Sequence, residues 1–403
     1  MKFQIEQKEL IKHIQYLASI APTKNTSPIL TNYLLEVNAD TNLIRIITSD
    51  LELTVVAEFA ANVTESGITT VNARYFNEII SSMPEKPIDI YTEEEIVRIK
   101  CGKIDFSLLS ADYTLFPLVP EINLQKALVL SSENFFRMLA KTSFAVSNDI
   151  NRAVLNGVCW QIKTDSQLMC GTDGRKVAEI IIRQPLIIKE KTHDTNASAS
   201  ELSDAQELIT EDLNLTQPDF EKGIEKILPF KTIGFLQKIN NPELKEINAV
   251  IEPNRITFVY GDYTIFTHVI EHKFPDYQKA FIKDLPNTLL IKKNTLITAI
   301  KRVAIEAPED NERIRFEISN GNFEINTTNR ETGEGKEILE NFEYTGTDTA
   351  ISFNNKYMLS ILDVIDTERV KICLGTSKDP IMIYNETQPE NQEITFLLMP
   401  LRS

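Results

Sequence analysis

The sequence predicts an α+β chain built from three tandem copies of one helix-and-sheet domain. A hairpin with a polar corner is written three times: Leu43–Phe59 turns at Ser49-Asp50, Leu168–Ile181 at Thr172-Asp173-Gly174, and Phe323–Leu339 at Thr328-Asn329. Asp, Asn and Gly supply the turn conformations and the flanking apolar runs supply the strands. A short alternating strand that runs into an amphipathic helix also occurs three times, in Phe3–Pro22, Leu128–Ser147 and Leu289–Pro308. A second strand-to-helix step recurs in Val71–Met83, Leu228–Ile239 and Phe353–Ile365. Repetition of this kind marks one supersecondary unit used several times. The repeats divide the chain into domains at 1–122, 127–281 and 287–403, each ordered as strand, helix, hairpins, helix, hairpins.

In the first helix set, apolar residues fall at Leu10, Ile11, Ile14 and Leu17, at Phe135, Phe136, Leu139 and Phe144, and at Leu296, Ile297, Ile300 and Val303. That is largely the spacing of one buried helical face. Basic residues repeat on these helices. Lys12 aligns with Arg137, and Lys141 with Arg302. In the second helix set Arg74, Lys231 and Lys356 fall on one position.

A chain of 403 residues with 42% hydrophobic content has the size and composition of a globular protein of two or three domains. No apolar run approaches the ~18 residues of a membrane span. The N-terminal MKFQIEQKEL goes straight into a strand without an apolar signal region, which predicts a cytoplasmic protein. Cys101, Cys159, Cys170 and Cys373 are scattered through apolar strand contexts without paired metal-ligand spacing, so they read as reduced core residues.

The net charge of −16 should repel nucleic acid. Half of it is local, because Glu190–Glu225 holds ten acidic residues against two lysines. This stretch, rich in Ser, Thr and Asn, interrupts the second repeat and reads as an acidic insertion over about residues 190–225.

Motifs for chemistry are absent. His268 and His272 have helical ligand spacing but sit at the end of a strand that leads to a proline, His193 lies in the acidic stretch, and His13 lies on a helix. Gly171–Lys176 and Thr332–Glu337 contain Gly and Lys without P-loop spacing and are more simply hairpin turns. Neither a nucleophile elbow nor a paired acid–base motif appears, so no catalytic residue, metal or cofactor is expected.

A repeat of helices and hairpins with recurring Lys and Arg fits another role. Domains with strands outside and helices on one side can join edge to edge, and head-to-tail pairing can close them into a ring. Such a ring holds a duplex topologically, so it can be acidic overall. The sequence resembles the bacterial DNA polymerase III β subunit, the sliding clamp family, over nearly the whole chain apart from the insertion. The resemblance is carried by Ser27–Asn32 (SPILTN), Thr48–Leu53 (TSDLEL), Val71–Phe76 (VNARYF), Phe106–Pro117 (FSLLSADYTLFP), Val154–Gly157 (VLNG), Gly171–Ala178 (GTDGRKVA), Gly261–Phe266 (GDYTIF), Lys273–Tyr277 (KFPDY), Phe353–Leu359 (FNNKYML) and Leu397–Ser403 (LLMPLRS), in this order. It implies the DNA clamp fold, with helices lining a ring interior and sheets outside. It also implies a head-to-tail homodimer around sequence-independent double-stranded DNA, with the DNA polymerase III catalytic subunit, the clamp loader and other clamp-motif proteins as partners.

The resemblance further implies a pocket for a short Gln-Leu-aromatic peptide. The matching residues are Leu155, Thr172, Gly174, Arg175, Lys176, Val177, Ile247, Ala249, Asn354, Tyr357, Ile381, Leu397, Met399, Pro400 and Leu401. An adaptable apolar cleft with polar anchors suits that ligand. Arg175-Lys176 replaces a commoner His-Arg pair, Ala249 a larger aliphatic, and Ser403 a terminal Leu. For DNA the candidates are Lys24, Arg74, Arg137, Lys141, Lys231, Arg302 and Lys356, which would touch phosphates without reading sequence. For the dimer seam they are Phe106, on an expected edge strand, with Lys103 near it, and Ile305, at the end of the first helix of the third domain. The competing reading is a non-catalytic peptide-binding scaffold of the same fold that does not encircle DNA.

Overall fold

The computed structural model describes residues 1–24, 26–124, 127–149, 151–188, 223–319 and 321–401. The acidic insertion, with His193, lies outside the described residues except for Gly223–Glu225, and Ser403 lies outside them too.

The first stretch runs β1 (Lys2–Glu6), α1 (Gln7–Leu17), β2 (Asn32–Asn38), β3 (Leu43–Ser49), β4 (Leu53–Ala60), β5 (Asn62–Glu65) and β6 (Gly67–Asn72), then α2 (Ala73–Ser82), β7 (Pro87–Glu93), β8 (Ile96–Cys101) and β9 (Ile104–Leu109). The second runs β10 (Leu128–Ser131), α3 (Ser132–Thr142), β11 (Gly157–Ile162), β12 (Ser166–Thr172), β13 (Lys176–Arg183) and β14 (Ile187–Ile188), then β15 (Ile224–Pro229), α4 (Phe230–Ile239), β16 (Glu246–Ile251), β17 (Arg255–Tyr260) and β18 (Tyr263–His268). The third runs β19 (Asn287–Lys292), α5 (Lys293–Val303), β20 (Arg313–Ser319), β21 (Asn322–Asn329), β22 (Gly333–Leu339), β23 (Phe342–Thr345) and β24 (Thr349–Asn354), then α6 (Asn355–Asp363), β25 (Arg369–Leu374), β26 (Ile381–Asn385) and β27 (Gln392–Leu398). One element order is thus traversed three times.

The described chain forms two compact units. One holds residues 1–136, 186–188 and 231–269, and the other holds 137–185, 223–230 and 270–401. Residues 1–122 therefore fall within unit 1 and 287–401 within unit 2, while the residues of the middle repeat are shared out between the two.

Unit 1 has a five-stranded sheet, β5-β1-β7-β8-β9, and a nine-stranded sheet, β14-β10-β16-β17-β18-β4-β3-β2-β6. Alternation makes β1 half-buried: Phe3 and Ile5 point into the core and Lys2, Gln4 and Glu6 to solvent. On α1 the helical spacing buries Leu10, Ile14 and Leu17, while Ile11 is only half-buried. His13 shares that buried face. Its Nδ1 lies 3.0 Å from Tyr263 Oη and its ring stacks 4.0 Å from Phe59. Burial holds this imidazole below its ordinary pKa, against the pull of Glu9 and Asp262.

Unit 2 has a nine-stranded sheet, β15-β11-β12-β13-β27-β26-β25-β19-β23, and a four-stranded sheet, β22-β21-β20-β24. Cys159 and Cys170, on consecutive strands, face each other across β11 and β12, while Cys373 is only half-buried. Three expectations shift slightly. The third hairpin turns at 330–332 rather than at Thr328-Asn329, because Asn329 closes the ladder opposite Gly333 and its side chain then accepts from the Glu331 N–H at 3.0 Å. The insertion ends sooner, since Ile224 and Glu225 already pair with Ile162 and Gln161 in β15. Phe144 belongs to a 3₁₀ turn after α3, not to the helix.

Candidate functional site

The turn after β12 is held by its own side chains. Thr172 Oγ1 donates to the Lys176 carbonyl at 2.7 Å and accepts from the Gly174 N–H at 3.0 Å. Asp173 Oδ1 accepts from the N–H groups of Arg175 and Lys176 at 2.8 and 3.0 Å, the geometry for which Asp is favoured in turns. Gly174 has φ +85°, and a Cβ there would meet the Arg152 guanidinium at 3.0 Å, so the position suits glycine alone. Arg152 in turn donates to the Asp173 carbonyl at 2.8 Å.

From this turn β13 pairs with the last strand, setting Lys176 opposite Leu398 and Val177 opposite Leu397. The chain end continues across the turn. The Met399 N–H donates to the Arg175 carbonyl at 2.8 Å, and the Leu401 N–H to the Ser352 carbonyl at 2.7 Å. Helix α6 adds Tyr357. Asn354 caps this helix by accepting from the Tyr357 N–H at 3.1 Å. Arg175 Nη1 donates to Tyr357 Oη at 3.0 Å, and Lys176 Nζ lies 4.6 Å from the Tyr357 ring centroid, within cation–π range. A cavity of about 360 Å³ opens here between Phe144, Ser147, Arg152, Arg175, Lys176 and Tyr357.

Unit 2 thus brings Tyr357 and the Met399 backbone against the turn that holds Thr172, Gly174, Arg175 and Lys176, while Asn354 caps the helix of Tyr357 and Leu401 is tied to Ser352. Leu155, Val177, Ile381 and Leu397 are buried side chains of the same unit. Met399 is 39% exposed, so an apolar side chain stands free at the chain end. Ile247 and Ala249 lie in unit 1, fully buried on β16 opposite Leu130 and Leu128. Ser147 and Arg152 carry no signal in the local sequence pattern, and Phe144 shows there only as an apolar residue of the helical spacing. Only the glycine in the turn hinted that a side chain must approach the backbone there.

The basic residues sit at matched steps of their helices. Arg74, Lys231 and Lys356 are each the second residue of α2, α4 and α6. Lys12 and Arg137 are each the sixth residue of α1 and α3, and Lys141 and Arg302 each the tenth of α3 and α5. Arg74, Lys231, Arg302, Lys356 and the loop residue Lys24 are exposed, Arg137 is half-buried, and Lys141 is buried. Desolvation lowers the Lys141 pKa, and Asp366 beside it resists that shift.

Phe106 lies on β9, an edge strand of the five-stranded sheet, and is 41% exposed. Lys103 is exposed in the turn that precedes it. Ile305, 79% exposed, lies in the 3₁₀ turn after α5. In unit 2 β22 is likewise a sheet edge, with Ile338 exposed.

Among the described residues no group of three or more His, Cys, Asp or Glu side chains is placed to hold a metal ion. Nor is any described helix long and apolar enough to cross a membrane.

Residues 1–120 match the family model of the DNA polymerase III beta subunit, N-terminal domain, and residues 278–402 match that of its C-terminal domain. The beta sliding clamp of Pseudomonas aeruginosa is 27% identical over 404 residues, with 100% of both chains covered. That of Chlamydia muridarum is 27% identical over 403 residues, covering 100% of this chain and 99% of its own. The crystal structure of the Pseudomonas aeruginosa DnaN sliding clamp bound to griselimycin superposes with a TM-score of 0.85 at 26% identity, covering 100% of each chain. The Thermotoga maritima beta subunit shares the fold at 20% identity, with a TM-score of 0.84, 100% of this chain and 99% of that one covered. The fold is that of the sliding clamps, α+β proteins that act as processivity factors rather than as catalysts. The chain belongs to the DNA polymerase III beta subunit family, the beta sliding clamps.

Proposed function

We propose that this processivity clamp encircles duplex DNA as a head-to-tail homodimer of three-domain chains in the cytoplasm, and tethers the polymerase, the clamp loader and other partners through the turn at 172–177 and the chain end. The recurrence of basic residues at matched steps of successive helices supports this reading most directly. One cation per repeat on the same helical step suits a uniform phosphate surface and no particular base sequence. The sheet edges β9 and β22, with Phe106, Ile305 and Ile338 exposed, suit pairing between two copies. Lys103 stands beside that edge.

The test is retention. Clamps loaded on nicked circular DNA should stay bound and should slide off once the circle is linearised. Equal retention on both forms would favour the peptide-binding scaffold. Phe106→Asp would bury an unpaired charge at the seam at a cost of several kcal/mol and should sediment as a monomer. For the pocket, removing Met399–Ser403 should weaken a fluorescent Gln-Leu-aromatic peptide by at least tenfold, about 1.4 kcal/mol, with the dimer mass unchanged. Peptide binding by the truncated dimer at full affinity would refute the assignment of the chain end. Deleting Thr192–Thr216 should leave dimerisation intact, since the length of a connecting segment costs little free energy to change.

A further inference from the structure

The cations assigned to DNA above are already held by carboxylates of the same chain. Arg74 Nε donates to Glu78 Oε1 at 2.9 Å, one turn along α2. Lys231 Nζ pairs with Asp50, in the turn between β3 and β4. Lys356 Nζ lies 2.5 Å from Glu312 Oε1, in the loop before β20. Arg302 Nε donates to Glu337 Oε2, on β22, at 2.8 Å. Arg137 and Lys141 share Asp366, at 2.6 and 2.5 Å. Among the described residues only Lys24 of the seven has no carboxylate partner.

The partners come from unrelated places: the same helix, a hairpin turn, a loop, a strand and a post-helical bend. The cations follow the repeat and the carboxylates do not, so the pairing is not a by-product of one local motif copied three times. Stability does not account for it either. Arg74–Glu78 is exposed on both sides, at 70% and 57%, and Lys231, Arg302 and Lys356 are exposed at 42%, 55% and 69% beside carboxylates that are 14%, 24% and 19% accessible; pairs open to solvent in this way contribute at most about 1 kcal/mol each. Their larger consequence is electrostatic. A cation hydrogen-bonded to a carboxylate presents little net charge to a phosphate, and a phosphate must displace that carboxylate to gain a charge-assisted bond. The carboxylates are strong competitors. The Lys356 hydrogen bond holds Glu312 below the ordinary carboxylate range, and the Arg302 hydrogen bond does the same for Glu337. Burial pushes Asp366 up, yet Lys141 and Arg137 together bring it below the ordinary value.

We propose that Glu78, Asp50, Glu312, Glu337 and Asp366 form a self-screening set that weakens the direct attraction of the helix cations for DNA, so that retention rests on encirclement and the duplex can slide. This rests on the reading that those cations face phosphates. The experiment titrates a labelled linear duplex against the full-length protein, without a clamp loader, by fluorescence anisotropy over a salt series. Glu78→Gln and Glu337→Gln, singly and together, keep side-chain shape and remove the charge, and Glu78→Gln leaves the β22 edge untouched. Dimer mass is checked for each. The double variant should bind about tenfold more tightly at low salt, and its log–log salt slope should steepen by about 0.9 for each arginine released to a phosphate. Arg74→Ala and Arg302→Ala serve as the reference and should weaken binding. If they weaken it while the Gln variants bind as wild type, the screening idea is overturned and the DNA reading stands. If neither set changes binding, the phosphate-facing assignment fails and the proposal falls with it.

Discussion

The two units each carry a connector that follows a terminal strand and begins its packing with Phe-Pro, and the two connectors end differently. In unit 1 Phe116-Pro117-Leu118-Val119 comes after β9, and Phe274-Pro275-Asp276-Tyr277, in unit 2, comes in the chain after β18, the last strand of the middle repeat. The anchors match. Phe116 is 5% exposed among Ile29, Leu34, Val56 and Phe266, and Phe274 is 4% exposed among Cys170, Val177, Met382 and Leu397. Two residues after the proline they diverge. Tyr277 is buried, with its ring 6.0 Å from Phe274, and its hydroxyl donates to Glu179 Oε2 at 2.5 Å. Its counterpart Val119 is half-buried beside a groove of about 910 Å³, where Val56 occupies the β-strand position matching Glu179. The shared Phe anchors each connector, and the residue three positions on decides whether the space beside it is filled. A large side chain with a polar tip is tolerated in a core only when a partner awaits that tip. In unit 2 the partner is Glu179; unit 1 has neither member of the pair.

The sharpest test is truncation at the divergent position. Tyr277→Ala should destabilise by about 3–5 kcal/mol, since it opens a cavity and strips Glu179 of its donor. Val119→Ala should cost about 1 kcal/mol, as it removes two half-exposed methyl groups. Urea unfolding followed by tryptophan fluorescence, whose reporter Trp160 is buried in unit 2, and by circular dichroism for the whole chain will compare them. Equal losses would mean that the two connectors are packed alike.

A smaller effect concerns pH. Burial raises the Glu179 carboxyl above its ordinary pKa, against the hydrogen bond from Tyr277. A raised folded-state value means that the native protein holds the proton more tightly than the unfolded chain does. Stability from this group is therefore complete below the unfolded value and is lost as pH rises through the folded one. Glu179→Gln should raise the melting temperature at pH 7 by about 2–4 °C and by less near pH 4.5, since the raised value keeps more of the wild-type acid in its neutral form as pH falls. A gain of the same size at both pH values would show that ionisation of Glu179 is not what separates the two connectors. At the acid end, Asp366 has a lowered pKa, so its contribution is complete above the unfolded value and is lost as pH falls through the folded one. Asp366→Asn should accordingly lose its destabilising effect, about 1 kcal/mol at pH 7, in acid melts.

The least perturbing variant is Val119→Tyr, which places a phenol beside the unit 1 groove. With Val56 and not an acid opposite, the added ring should change stability by less than about 1 kcal/mol. The double variant Val119→Tyr, Val56→Glu tests whether the pair from unit 2 can be transplanted. A coupling energy near zero in the double-mutant cycle would show that geometry beyond these two residues is required.

Much of this architecture was readable from local pattern. The helices α1, α3 and α5 follow the apolar spacing of Leu10, Phe135 and Leu296 and their neighbours, and the hairpins follow alternation broken by Asp, Asn and Gly. The turn at Thr172–Lys176 could be placed because its hydrogen bonds join residues within five positions of one another. His13 resisted such reading, since its burial depends on Tyr263 and Phe59, which are distant in sequence. The place of Phe144 and Arg152 at the unit 2 cavity likewise depends on residues outside their own segments, Lys176 and Asp173.

The sequence by itself determined where strands, helices and turns lie and which residue types recur on each helix, because backbone preference and hydrophobic period act over a few residues. Tertiary structure alone decided the partners. Arg137 and Asp366 are 229 positions apart, Tyr277 and Glu179 98, and His13 and Tyr263 250. A charge or hydroxyl carries no label for a distant mate. Only the register of the sheets, set by the burial of whole strand faces, brings each pair within hydrogen-bonding reach.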